Sequence, residues 1–231
     1  LNDNMFSYDY VEGKLLSNLS DDHLLREVLP FYFDKFVSEQ FEKTDEFLSD
    51  CKEMYYNKTH NRIANSFAGT DIDKIEYING IRVDGIMDLL KKIDWNSIYE
   101  LSSPSRFHGD FQPENILHDG NDFKLIDWRD SFGKSIEVGD FYYDLGKLYH
   151  AIIINGQIVL SKGYKYDLNH NDAFIEYNVK SNLNLLMNYF ENFCKARGLS
   201  WSNVELLGIL QYISICSLYK EFHGGEYGRF L

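Results

Sequence analysis

Asp110, Asn115 and Asp127 are two carboxylates and a carboxamide, with Asn115 five positions and Asp127 seventeen positions after Asp110. Carboxylate and amide oxygens together suit a hard cation such as Mg2+, which keeps part of its water shell. These groups need an element that gathers them. Ile116 to His118 and Phe123 to Ile126 are short apolar-rich runs, and Asp119-Gly120-Asn121-Asp122 between them is turn chemistry. In the β-hairpin this predicts, the start of the first strand lies beside the end of the second, so Asn115 and Asp127 become neighbours. Asp110 lies on the irregular loop that feeds the first strand.

The elements that must hold this hairpin are mostly helical by period. Ser20, Asp21 and Asp22 are helix-start signals ahead of Leu24, Leu25, Val28 and Leu29. Pro30 is expected to end or kink that helix before a second run carrying Phe33, Phe36, Val37 and Phe41. Cys51 to Phe67 is expected to be helical, with Met54, Tyr55, Ile63 and Phe67 on one side and Lys58, His60 and Arg62 on a more polar one. Asn79-Gly80 marks a turn, and Ile86, Leu89, Leu90 and Ile93 follow the pattern of an amphipathic helix. Gly139 to Leu145 leads into a helix from Leu145 to about Ile154, with Asp144 in its first turn complementing the dipole. Leu183 to Cys194 and Val204 to Phe222 are further helices, with Gly198 as a stop between them. Ile158 to Tyr164 and Ala173 to Val179 are either strands or the flank of an insertion. At the start, Met5 to Val11 is an aromatic-rich strand running into a bend at Gly13.

The formal charge of −13 speaks against a nucleic-acid binder, which needs clustered Lys and Arg. A 231-residue chain that is 16% aromatic can bury a sizeable core. Cys51, Cys194 and Cys216 show no metal-ligand spacing and suit reduced core thiols of a cytoplasmic protein. No signal peptide opens the chain, and the apolar stretch from Leu206 to Tyr219 is too short to span a bilayer.

The order and spacing of His108-Gly109-Asp110, Asn115, Ile126-Asp127-Trp128, Asp140 and Asp144-Leu145 resemble the aminoglycoside phosphotransferase and choline kinase-like superfamily, small-molecule relatives of the protein kinases. The resemblance implies an α+β, protein-kinase-like fold. Residues 1–18 would be the last strand of the N-terminal lobe and the hinge, and residues 19–231 the helical C-terminal lobe with the catalytic loop and metal-binding hairpin. It implies transfer of the γ-phosphoryl group of ATP or GTP to a hydroxyl of a small molecule. Asp110 then matches the catalytic base and Asn115 and Asp127 the Mg2+ ligands, with His108, Asp140 and Asp144 bracing the site. The hinge backbone near Tyr10 and Val11 would face the adenine. Between His108 and Asp144 there are nine Asp or Glu against three Lys or Arg, a balance that suits a polyphosphate only with metal ions between.

The chain also departs from that family. Ahead of His108 there is no convincing Gly-containing phosphate loop or strand Lys. Together with the start at Leu1, this predicts mainly the C-terminal lobe of a longer kinase, with weak nucleotide binding on its own. The rival reading is a non-catalytic kinase-fold binding module, and a third is metal-dependent hydrolysis at the same residues. Arg129 stands where relatives often carry an acid. It can reach a phosphate or an acidic substrate group, or pair with Asp130 or Glu137. Trp128 is expected to pack. Aminoglycoside-like, choline-like and sugar acceptors all remain open. The acidic balance leans towards a cation, while a likeness of Ile78 to Val83 to kinase-like proteins of capsular polysaccharide loci leans towards a sugar. Tyr164, Tyr166, Asp167 and Asp172 line either a polar pocket or a surface hairpin.

Overall fold

In the computed structural model, residues 10–66, 74–216, 219, 228, 230 and 231 are described. They form an α+β structure in which helices carry the core and three small sheets sit at its margins. The first helix, α1 (Asp22–Tyr32), starts where its signals predict: the Asp21 carboxylate accepts from the backbone N–H of His23 and Leu24. Pro30 does not end it. The chain continues through a wider π-helical turn, Phe33–Val37, before leaving helix ahead of Phe41. The expected helix over residues 51–67 is two helices, α2 (Asp45–Lys52) and α3 (Lys58–Ser66), joined by a second π-helical turn, Glu53–Asn57. Phe67 lies outside the described residues, as does Met5–Asp9 of the expected first strand. Tyr10 and Val11 are irregular, and the first strand is β1 (Lys14–Leu15).

The predicted hairpin forms from β5 (Ile116–His118) and β6 (Phe123–Leu125), with β1 as the third, antiparallel strand beside β5. A second sheet runs in the order β3-β2-β9-β8. In it, β2 (Tyr77–Ile78) and β3 (Ile81–Arg82) turn through Asn79 and Gly80 at positive φ, and β8 (Tyr164–Asn169) and β9 (Asp172–Tyr177) form a long hairpin. That hairpin carries Tyr164, Tyr166, Asp167 and Asp172, while the apolar run at Ile158 is a short helix, α7 (Gly156–Leu160), capped by Asn155. Along the chain between β3 and β4 (Pro104–Ser105) come α4 (Ile86–Lys91) and α5 (Trp95–Leu101), the latter capped by Asp94.

The core is centred on α6 (Phe141–Ile153), which is buried on nearly every side. It packs closely on α9 (Trp201–Cys216), where a Cβ at Gly146 would come within 3.0 Å of Leu207 Cβ. Helix α8 (Ser181–Ala196) covers α1 and α6 with Leu183, Leu186 and Phe190. The third sheet pairs β4 (Pro104–Ser105) with β7 (Gly139–Asp140), so the catalytic-looking loop and the start of α6 are held side by side. Cys51, Cys194 and Cys216 are buried. No helix among the described residues is long and apolar enough to cross a membrane.

Candidate active site

Residues 106–115 link β4 to β5, and the N-terminus of α6 anchors them. Asp140 is the N-cap of α6; its carboxylate accepts from Tyr142 N–H and Ser103 N–H, and from the Tyr55 hydroxyl at 2.7 Å. One turn on, Asp144 is fully buried and turns its carboxylate to the loop rather than to the helix dipole. It accepts from the N–H groups of His108 and Gly109, both at 2.7 Å, and from the Tyr32 hydroxyl at 2.9 Å. Burial pushes the Asp144 carboxyl up to about 6 against those three bonds, and pushes Asp140 up for the same reason. Phe111, wholly buried against Tyr32 with ring centroids 4.4 Å apart, pins the loop from the other side.

His108 ties the loop to the hairpin. Its Nε2 donates to Ile126 O at 3.0 Å and its Nδ1 accepts from Asp110 N–H at 3.2 Å, a pattern that only the neutral imidazole satisfies. Burial holds its pKa down, in keeping with a bracing role. Gly109 is needed here: its φ is +81°, and an added Cβ would overlap Arg129 Cβ and come 2.9 Å from Arg129 Cδ. Trp128 packs, as expected, on His108 and Phe36, with centroids 4.9 and 5.4 Å away.

Asn115 and Asp110 are in contact, and the hairpin brings Asp127 alongside Asn115 as predicted. Asn115 Nδ2 donates to Asp110 O at 2.9 Å and to Asp110 Oδ2 at 3.0 Å, and Gln112 Nε2 gives that Oδ2 another 3.0 Å bond. The ladder continues one step past the strands through Ile126 N–H to Asn115 O, 3.0 Å, which sets Asp127 beside Asn115. Asp127 is exposed, at a φ of +58°. Among the described residues its carboxylate and Asn115 Oδ1 take no hydrogen bond. These free hard oxygens on adjacent strand ends fit a divalent cation that retains waters. No group of three His, Cys, Asp or Glu side chains among the described residues forms a metal cluster, so a cation here would draw on the Asn115 amide.

Sequence reasoning missed the other half of the site, which is cationic. Lys147 is buried on α6, and its Nζ lies 3.0 Å from Asp110 Oδ1. Tyr143, one turn earlier and wholly buried, accepts from Lys58 Nζ of α3 at 3.2 Å. Burial alone would raise the Tyr143 phenol, but Lys147, Lys58 and Arg129 around it outweigh that and hold it below its usual value. Burial pulls the Lys58 amine down; Lys147 feels the same penalty, yet Tyr143 and Asp110 keep it above its ordinary value. Lys147 was findable, since i, i+3 spacing from Asp144 puts it on the helix face turned to the loop. Tyr10, 86% exposed, and Val11 lead into β1.

No protein-family model and no curated protein matches the chain. Among solved structures it is similar to the choline kinase from Cryptosporidium parvum Iowa II, at 11% identity and a TM-score of 0.40, over 95% of this chain. The chain spans 66% of that kinase's length, and the likeness is too slight to argue from.

Proposed function

We propose that this chain carries the base and metal half of a small-molecule phosphotransferase, which moves the γ-phosphoryl group of ATP or GTP to an alcohol. One observation carries the reading. Asn115 commits its amide nitrogen to Asp110 and leaves its carbonyl oxygen open beside the uncommitted Asp127 carboxylate, so a proton acceptor and two cation ligands share one hairpin end. In the step, Asp110 Oδ orients the acceptor hydroxyl and takes its proton as the new O–P bond forms. The bond from the γ-phosphorus to the β–γ bridging oxygen breaks, and its electron pair leaves with the nucleoside diphosphate. Mg2+ held by Asn115 and Asp127 would offset the phosphate charge. His108, Asp140 and Asp144 keep the loop backbone where Asp110 can do this, which is most of what phosphoryl transfer asks of a protein. The backbone at Tyr10 and Val11 is the proposed contact for the nucleotide base.

The test is Mg2+-dependent phosphoryl transfer from ATP or GTP across a panel of alcohols, using protein from the full natural reading frame, with and without Asp110→Asn. The substitution should lower kcat by at least a hundredfold. Undiminished transfer removes Asp110 as base, and a wild type that binds nucleotide without turnover favours the non-catalytic module.

A further inference from the structure

The acidic balance of the whole chain hides a local excess of positive charge beside Asp110. Lys58 from α3 bonds the Tyr143 hydroxyl at 3.2 Å, Lys147 from α6 stands 6.0 Å from the centre of that ring, and Arg129, after β6, packs against Gly109 beside Asp110 and adds its charge to the field at Tyr143. Lys147 has the Asp110 carboxylate. Arg129 pairs with neither Asp130 nor Glu137: its Nε donates to Ser131 O at 2.9 Å, and Glu137 lies 3.4 Å from Arg106 instead. Lys58 has the phenol and no carboxylate partner among the described residues. In a chain of 36 acidic and 23 basic residues, cations without acids cannot be put down to a shortage of acids. Like charges brought together and partly desolvated repel one another, and an oxyanion between them relieves this. Guanidinium and ammonium groups are suited to that, the first by bidentate bonding and the second as a point charge.

We propose that the acceptor alcohol itself carries an oxyanion, a phosphate monoester or a carboxylate, held by Lys58 and Arg129 while its hydroxyl meets Asp110. This rests on the phosphotransfer reading and names the substrate class for that site, reversing the cationic lean of the overall charge. Lys147 is the positioning residue between the two halves, holding Asp110 Oδ1 while Oδ2 stays with Asn115 and Gln112.

Two measurements test it. In the first, Mg2+ and ATP are supplied with a neutral hexose, its 6-phosphate, its uronic acid and its amino sugar. The anionic members should show kcat/KM at least tenfold above the neutral one. Lys58→Gln with Arg129→Gln should collapse that ratio to within about threefold through the acceptor's KM, and Lys58→Arg should restore part of it. Preference for the neutral or amino sugar, or a rise in the KM for ATP in place of the acceptor's, overturns the proposal. The second needs no turnover. Inorganic phosphate at constant ionic strength should raise Tm by about 3–6 °C near ten times its Kd, and Lys58→Gln should abolish the rise. A Lys58-dependent rise without transfer to any acceptor removes the phosphotransfer reading and leaves the anion site standing. No Lys58-dependent rise removes the anion site whatever the activity.

Discussion

Gly109→Ala probes the contact on which the loop geometry depends. The glycine sits at φ +81°, where an alanine costs about 1–2 kcal/mol. Its Cβ would overlap Arg129 Cβ and stand 2.9 Å from Cδ, and forcing that segment away adds about 1–3 kcal/mol. A stiffer unfolded chain returns about 0.4–1 kcal/mol. The net loss is about 2–4 kcal/mol, which at an m-value of about 2 kcal/mol/M moves the urea midpoint down by about 1–2 M. The steric part can be isolated, because Arg129→Gly removes the opposing Cβ and Arg129→Ala leaves it. Gly109→Ala should therefore cost only about 1 kcal/mol on the Arg129→Gly background and nearly its full value on the Arg129→Ala background. An unchanged midpoint for the single variant, or equal costs on all three backgrounds, would refute the proposed packing of Arg129 over the loop.

Buried titrating groups give a pH signature. Asp144 stands at about 6 against an ordinary 3.8, so its contribution to stability is full below about pH 4 and is lost as pH rises through about 6. His150, driven down by burial to about 3 from 6.5, contributes above pH 6.5 and loses that as pH falls. Between pH 4 and 6 these two slopes oppose one another. Asp144→Asn should expose a fall of about 1.4 kcal/mol per unit of acidification, and parallel profiles for the two proteins would contradict this. Tyr55→Phe deletes the 2.7 Å hydroxyl bond to buried Asp140 and should cost about 1.5–3 kcal/mol in urea unfolding; a loss below 0.5 would show the bond to be idle. Asp127→Asn should raise the Mg2+ concentration for half-maximal transfer about tenfold or more, and an unshifted Mg2+ curve would take Asp127 out of the ligand set.

What was legible from the sequence is mostly local. Turn residues between two apolar runs are enough to pair Asn115 with the residue before Asp127, and Asp21 and Gly198 mark helix ends because capping depends on near neighbours. The short helices α5 and α7 were missed although Asp94 and Asn155 are good caps, since five to seven residues hold too little period to outvote an apolar run such as Ile158-Val159-Leu160. Pro30 was expected to end or kink the first helix; α1 runs two residues past it and passes into a wider turn at Phe33. The cationic half of the site was out of reach for another reason. Lys58 and Tyr143 are 85 residues apart and meet only because α3 and α6 are brought together in the fold. Asp144, expected both to complement the helix dipole and to brace the loop, accepts from two loop N–H groups.

The central claim is that Asp110, Asn115 and Asp127 form the working end of a phosphoryl-transfer site. Its most direct test follows the γ-phosphoryl label of ATP or GTP in the presence of Mg2+ and an alcohol acceptor. The account predicts label bound to the acceptor's own oxygen, at a rate that falls at least a hundredfold in Asp110→Asn. Label released only as inorganic phosphate, or transfer indifferent to Asp110, would contradict it.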